Sequence, residues 1–164
     1  MPTPDFVTKL RTHIGHDRLW LSTATAVVFD ADGRVLLARR ADNGRWGPPG
    51  GIIDPAEEPA DAAARETCEE TGVVAVPERL VAVAVAAPIT YPNGDEVQYL
   101  DLMFRCRAVS GEARVNDSES VEVGWFSIAA LPPLSKQLLR RLEQATSDRT
   151  ATAFAFSGIE RILD

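Results

Sequence analysis

The sequence predicts an α+β domain, and three observations carry that prediction. Runs rich in β-branched and apolar residues alternate with three segments of helical period. Asp-Gly and Asn-Gly turns join neighbouring strand candidates into hairpins. The mixture of hairpins and helices belongs to a layered fold in which helices cover a sheet. The chain has 164 residues, enough to bury one real core. No repeat or composition break divides it, so a single domain over 1–164 is expected.

The first element is a short amphipathic helix over 4–14, with Phe6, Leu10 and Ile14 at four-residue steps. It reads as a packing or subunit-contact element rather than a chemical one. "LWLSTATAVVFD" (19–30) and "VLLARR" (35–40) are strands joined by the "ADGR" turn (31–34) into a hairpin. "ADNGRWGPPGG" (41–51) is a loop punctuated by glycine and proline, followed by a brief strand at 52–53 and a second loop at 54–58. A helix over 59–71 starts on Pro59 and ends at Gly72, the residue types favoured at those two places. "RLVAVAVAAPI" (79–89) and "VQYLDLMFRCRAV" (97–109) form a second hairpin across the "YPNGDE" turn (91–96). A polar loop (111–120) leads to a strand over 121–128. The closing helix lies within 131–145, with Leu134, Leu138 and Leu142 on one stripe. The tail carries Phe154, Phe156, Ile159 and Ile162, apolar enough to pack on the domain or on a second subunit.

Composition narrows the function classes. The net charge is −7, which argues against nucleic acid, whose partners normally show a basic face. It leaves room for a small phosphate ligand that arrives with a divalent cation. No apolar run approaches the roughly 20 residues that span a bilayer. The opening "MPTPDFVTKL" lacks the features of a signal peptide. Cys68 and Cys106 form no CxxC or metal spacing and read as two reduced, buried thiols. A cytoplasmic protein is expected.

The chemistry concentrates in "ARETCEETG", Ala64 to Gly72, where Glu66, Glu69 and Glu70 fall within one turn and a half of helix. At about 100° per residue, Ala60, Ala64, Thr67 and Thr71 make an inward face of small residues. The three glutamates cluster on the far side. A solvated acidic face, with Arg65 supporting Glu69 as an i,i+4 pair, is the plain reading. A metal site is the sharper one. The preceding glycines allow close approach of backbone to a ligand, and Glu57 adds a fourth carboxylate nearby. Carboxylate oxygens suit a hard cation such as Mg²⁺, which keeps waters and leans on substrate phosphates. The chemistry expected of such a site is metal-assisted attack of water on a phosphoryl group.

Gly51, Glu57, Arg65, Glu66, Glu69, Glu70 and Gly72 stand in the order G-x5-E-x7-R-E-U-x-E-E-x-G-U, closed by Val73. This resembles the Nudix box. Thr67 is the one departure, standing where an aliphatic residue is usual. "VLLARR", "WGPPGG" and "VGWFSIAALPPL" also resemble the Nudix domain, so the likeness covers roughly 20–145 and leaves N- and C-terminal extensions. The resemblance implies an α/β/α sandwich around a mixed sheet. It implies hydrolysis of a diphosphate linkage in a nucleoside diphosphate derivative or a nucleoside triphosphate, with Mg²⁺ or Mn²⁺. Carried over position by position, Glu66, Glu69 and Glu70 are metal ligands and catalytic groups, with Glu66 alternatively the base. Glu57 and Arg65 pair to hold the loop to the helix, which Gly72 ends. Gly50 and Gly51 let the backbone approach phosphate or metal. Glu119 is the candidate extra ligand or general base, ahead of Asp117 and Glu122. Arg39 or Arg40 clamps phosphate or base, against the plain alternative of a surface pair.

Trp46 and Trp125 read as packing residues first and base-stacking residues second. Tyr91 and Tyr99 flank the second hairpin, where the resemblance implies substrate loops, and read as packing residues first; His13 and His16 receive no catalytic role. The expected partner is a small nucleotide derivative, with a homodimer possible. A catalytically silent Nudix-fold sensor of a nucleotide derivative is the alternative. Such sensors typically lose box carboxylates, and this chain keeps them all. The box does not specify which group is attached to the diphosphate.

Overall fold

The computed structural model describes residues 3–147 and 150–156. Its order is α1 (Asp5–Ile14), β1 (Leu19–Phe29), β2 (Val35–Arg40), β3 (Trp46–Gly47), β4 (Gly50–Ile52), α2 (Pro59–Thr71), β5 (Val73–Val85), β6 (Ile89–Thr90), β7 (Glu96–Gly111), β8 (Ser120–Phe126), α3 (Lys136–Thr146) and β9 (Ala153–Phe154). A 3₁₀ turn at Ile128–Ala130 precedes α3. All the strands join one mixed sheet, and the α+β class holds.

The helix ends follow local chemistry. Pro59 opens α2, and Gly72 closes it in the left-handed region at φ 71°, its N–H donating to Cys68 O. The Ser135 hydroxyl accepts from Leu138 N and caps α3, so the helix starts later than the sequence suggested.

Strand pairing departs further. The "ADGR" turn closes as expected, with Asp30 N donating to Arg34 O at 3.0 Å. Beyond it, however, β1 and β2 share only the Phe29↔Val35 pair. β4 takes the β1 edge at Thr23–Thr25, and β2 pairs along its length with β8. The full-length partner of β1 is β7, in parallel, from Leu19↔Val97 to Phe29↔Arg107. The β5–β7 hairpin forms as predicted. β5 nevertheless starts at Val73 rather than 79, because bulges absorb Pro77 and its neighbours without ending the strand.

The sheet is covered on both faces. On one, α2 contributes Ala62 and Ala63 to a cluster with Ala24, Ala26, Val28, Leu36 and Cys106. On the other, Leu142 and Ala145 of α3 join Val27, Leu37, Val81 and Met103, with Leu134 and Leu138 beside them. A third cluster seats Val7 of α1 against Leu19, Leu21 and Val97. The tail adds β9 to β5 in parallel, yet Phe154 and Phe156 stay exposed. Ile159 and Ile162 lie outside the described residues. Cys106 is buried, with its thiol pushed up to about 12 by desolvation, whereas Cys68 is exposed, contrary to the expectation for both thiols. Among the described residues no helix is long and apolar enough to cross a membrane.

Candidate functional site

The site is built where β4 crosses beneath α2. Gly50 and Gly51 pair with Thr25 and Ala24 of β1. A Cβ on Gly50 would collide with the Ala24 carbonyl and stand 2.8 Å from Thr25 Cα. A Cβ on Gly51 would occupy the place of the Glu66 carboxylate, 2.8 Å from its Oε2. The two glycines therefore have separate tasks. Gly50 lets two backbones meet, and Gly51 leaves space for a buried acid.

That acid corrects the helical-wheel reading. Glu66 and Glu70 do not lie on the far side of α2. Both are buried, beside Thr67 and Thr71 on the packing face. The sheet below them is opened by the glycines, so a face read from small residues alone was too narrow. Only Glu69 is exposed. Thr67 is fully buried, and its hydroxyl donates to Ala63 O at 2.7 Å, as an off-pattern threonine in a helix interior does.

Arg65 ties the cluster together. It grips Glu57 with two bonds, Nε to Oε1 at 2.7 Å and Nη2 to Oε2 at 2.8 Å. Nη1 donates to Glu66 Oε1 at 2.8 Å and to Glu69 Oε2 at 3.2 Å. Glu57 in turn accepts from Asp54 N, so the loop is clasped to the helix through its own turn. Arg65 holds the Glu57 carboxyl below its ordinary range, while Glu57 and Glu66 raise the Arg65 guanidinium.

The buried acids are poorly served without a cation. Glu66 Oε2 is buried with no hydrogen-bond partner among the described residues, and desolvation raises its carboxyl despite Arg65. Glu70 accepts from Gly50 N at 3.1 Å. Burial still pushes it up to about 7, with Glu66 and Asp117 adding repulsion. An orphaned buried oxygen and two crowded carboxylates suit a hard cation. Among the described residues, however, no three acids, histidines or cysteines are already gathered around one point, and the Glu69 carboxylate contacts Arg65.

The loop after β7 is latched to the end of α2. Asn116 Nδ2 donates to Cys68 O and Glu69 O, both at 3.1 Å, and Asn116 N donates to Glu70 O at 3.2 Å. This carries Asp117 toward Glu70 and Glu119 into a cavity of about 700 Å³. Glu119 O accepts from Ala41 N at 2.7 Å, which joins the loop to the end of β2. Glu122 instead pairs with Arg39, at 3.2 Å. Arg39 is half-buried there and does not line the cavity. Arg40 does, held by Asp42 in two bonds at 2.9 and 2.8 Å. Trp46 packs edge-on against Phe126, and Trp125 packs on the α2-side core.

Sequence reasoning missed Asn116 and the place of α1, and it put packing first for two tyrosines. Asn116 carried no motif. Tyr99 and Tyr91 line the cavity, with their hydroxyls 3.1 Å apart. Helix α1 forms part of the wall through Pro4, Val7 and Arg11. The apolar period of α1 and the tyrosines at the hairpin gave the only signal, and that signal does not say where either docks.

Comparison with known proteins agrees with this fold. The family model of the NUDIX domain matches residues 20–146. A "MutT-like protein" of Streptomyces ambofaciens is 38% identical over 105 residues, covering 64% of this chain and 62% of the relative's own length. A "putative 8-oxo-dGTP diphosphatase" of Bacillus subtilis (strain 168) is 28% identical, covering 82% of this chain and 87% of the relative. Among solved structures, an ADP-ribose pyrophosphatase from Streptococcus suis superposes with a TM-score of 0.63 at 29% identity, covering 82% of this chain and 98% of that one. The matched region covers well over half of the chain, and the chain belongs to the Nudix hydrolase family.

Proposed function

We propose that the protein is a divalent-cation-dependent hydrolase of the pyrophosphate linkage in a nucleoside diphosphate derivative or nucleoside triphosphate. The observation that carries this is the buried pair Glu66 and Glu70, set against a glycine gap, with one carboxylate oxygen lacking a partner. The activities named for these two relatives, 8-oxo-dGTP diphosphatase and ADP-ribose pyrophosphatase, share a pyrophosphate bond attached to a nucleoside.

Glu66 and Glu70 would hold the cation, with Glu69 joining once its carboxylate leaves Arg65. A cation there, Mg²⁺ or Mn²⁺, neutralises diphosphate charge and acidifies water. Gly50 and Gly51 admit the phosphate close to backbone N–H groups. Arg40 offers its guanidinium to a phosphate oxygen in exchange for Asp42. Glu119, inside the same cavity, takes the proton from the attacking water. Arg65 and Glu57 keep loop and helix in register throughout.

The test is hydrolysis across a panel of nucleoside triphosphates (oxidised forms included), ADP-ribose, nucleotide sugars and dinucleotides, with products identified by mass. Turnover should require added Mg²⁺ or Mn²⁺ and stop with chelator. Glu70→Gln should lose roughly a hundredfold or more in kcat/KM. Undiminished turnover in Glu70→Gln would remove Glu70 from the machinery. Silence across the panel with tight binding of one compound would instead identify a sensor.

A further inference from the structure

Helix α2 covers only part of its face of the sheet. It packs over Ala24, Ala26 and Val28 of β1. Toward the start of β1 and the end of β5 the same face continues uncovered. Residues paired across neighbouring strands point to one side, so the register fixes what this part shows. Ala24, Leu102, Val83 and Phe154 form one row across β1, β7, β5 and β9. Ser22, Leu100 and Val85 form the next row, and Trp20 and Gln98 the last. No charged side chain stands in these rows, in a chain of which charged residues make up 25%.

The uncovered rows are apolar and open. Phe154 is 77% exposed, Val85 55% and Trp20 54%, and Phe156, two residues beyond Phe154, is 71% exposed. Val83, Leu100 and Leu102 are half-buried and belong to none of the three core clusters. Aromatic side chains present about 150–250 Å² each, so the three aromatics alone offer on the order of 400 Å². That matches the largest apolar patch of an ordinary monomer. The aliphatic residues between them extend it toward the ~800 Å² per partner that a stable interface buries. Leu21, Thr23, Val97 and Tyr99, which alternate with these residues along β1 and β7, line the cavity instead.

We propose that this face is a homodimer interface, occupied by a second copy of the chain packed sheet on sheet at about 10 Å. A twofold contact must be self-complementary. An uncharged apolar face meets that demand, whereas the rest of a chain of net charge −7 repels its copy. The two ends of the face also match. A twofold axis through β5 and β7 sets the tryptophan end of each copy against the phenylalanine end of the other. Pairing edge to edge is the poorer route. β9 has only two residues, and the edge of β5 beyond it carries Pro77, Glu78 and Arg79 and is broken by bulges. The proposal does not depend on the pyrophosphate reading.

Sedimentation and tryptophan emission of the full chain, from about 10 nM to 100 µM, test it. The wild type should be a dimer at the upper end and dissociate on dilution, its emission shifting to the red as Trp20 meets water. Trp20→Glu and Phe154→Glu, at exposed positions, should each weaken association about a thousandfold, since a twofold contact meets every change twice. Val74→Glu, exposed at the far end of β5, should leave the dimer intact. Trp20→Phe should keep the dimer and abolish the red shift, a result that does not require the charged variants to fold. A wild type that is monomeric throughout, or a dimer untouched by both charged substitutions, would overturn the proposal. A dimer lost in Val74→Glu alone would overturn it in favour of another face. A monomeric wild type whose Trp20 emission shifts on removal of residues 157–164 would overturn it in favour of the chain's own tail.

Discussion

Glu57 shows how one residue can clasp a loop to a helix. Its two bonds from Arg65 keep its carboxyl below the ordinary value of 4.5, against the opposing effect of burial. A depressed carboxyl stabilises the fold above its unfolded pKa, and that stability is lost as pH falls through the lower, folded pKa. Urea midpoints measured from pH 7 down to pH 3 should therefore decline at the acid end. In Glu57→Gln the neutral plateau should be lower and the acid decline shallower. Parallel curves for the two proteins would mean that Glu57 contributes nothing to the acid limb. The role of Glu57 was legible from its spacing to Arg65, because the box fixes that distance in sequence. The burial of Glu66 was not. A helical wheel ranks faces by residue type, and only the glycine gap opposite makes an acid acceptable on the packing face.

Among the elements, the loop over 112–119 and helix α2 act as a pair. The last carbonyls of a helix have no partners within it; Asn116 satisfies that of Glu69 from its side chain and that of Glu70 from its backbone N–H, and its side chain shares Cys68 O with Gly72 N. The loop thereby takes its position from the helix that carries the glutamates. Asn116→Ala should lower stability by about 1–2 kcal/mol, read as a shift in thermal midpoint. It should also lower kcat by between tenfold and a hundredfold, roughly the cost of a small misplacement of reacting groups. KM should change less, because Arg40 and the glycines stay in place. A change in KM with kcat intact would assign the loop to substrate binding instead. Most elements could be read from turns and caps, since those signals are local. Strand partners could not. The "ADGR" turn announces a hairpin, and the turn does form, but β4 and β8 compete successfully for the two strands it joins.

Across the whole molecule, the layers are pinned through Asp101. It is buried in β7 and accepts from Thr25 at 2.7 Å and Thr23 at 3.2 Å of the neighbouring strand, and from Arg141 of α3 at 2.6 Å. One carboxylate thus joins the two parallel strands to the helix above them. Asp101→Ala would leave Arg141 without its partner in a largely buried place and should cost about 3–5 kcal/mol, measured by denaturant unfolding. A loss below about 1 kcal/mol, the scale of an exposed pair, would show that the layers hold without this pin. The sandwich was legible as a class because helices and strands alternate in the chain. The docking of α1 was not, since its apolar stripe fits any open sheet face equally well.

The parallel pairing of β1 with β7 also bears on how the molecule comes into being. Residues that meet across this pair stand 78 apart in sequence, as Thr23 and Asp101 do. Closing so large a loop costs chain entropy before any contact repays it, and folds built on distant pairings form slowly. Helix α2 is read from neighbouring residues, but Glu66 and Glu70 take their places only against β4. The cavity beside them needs both ends of the domain. Leu21 arrives on β1, Val97 and Tyr99 arrive on β7, and α1 closes over them. The cavity is therefore complete only once β1 and β7 have paired.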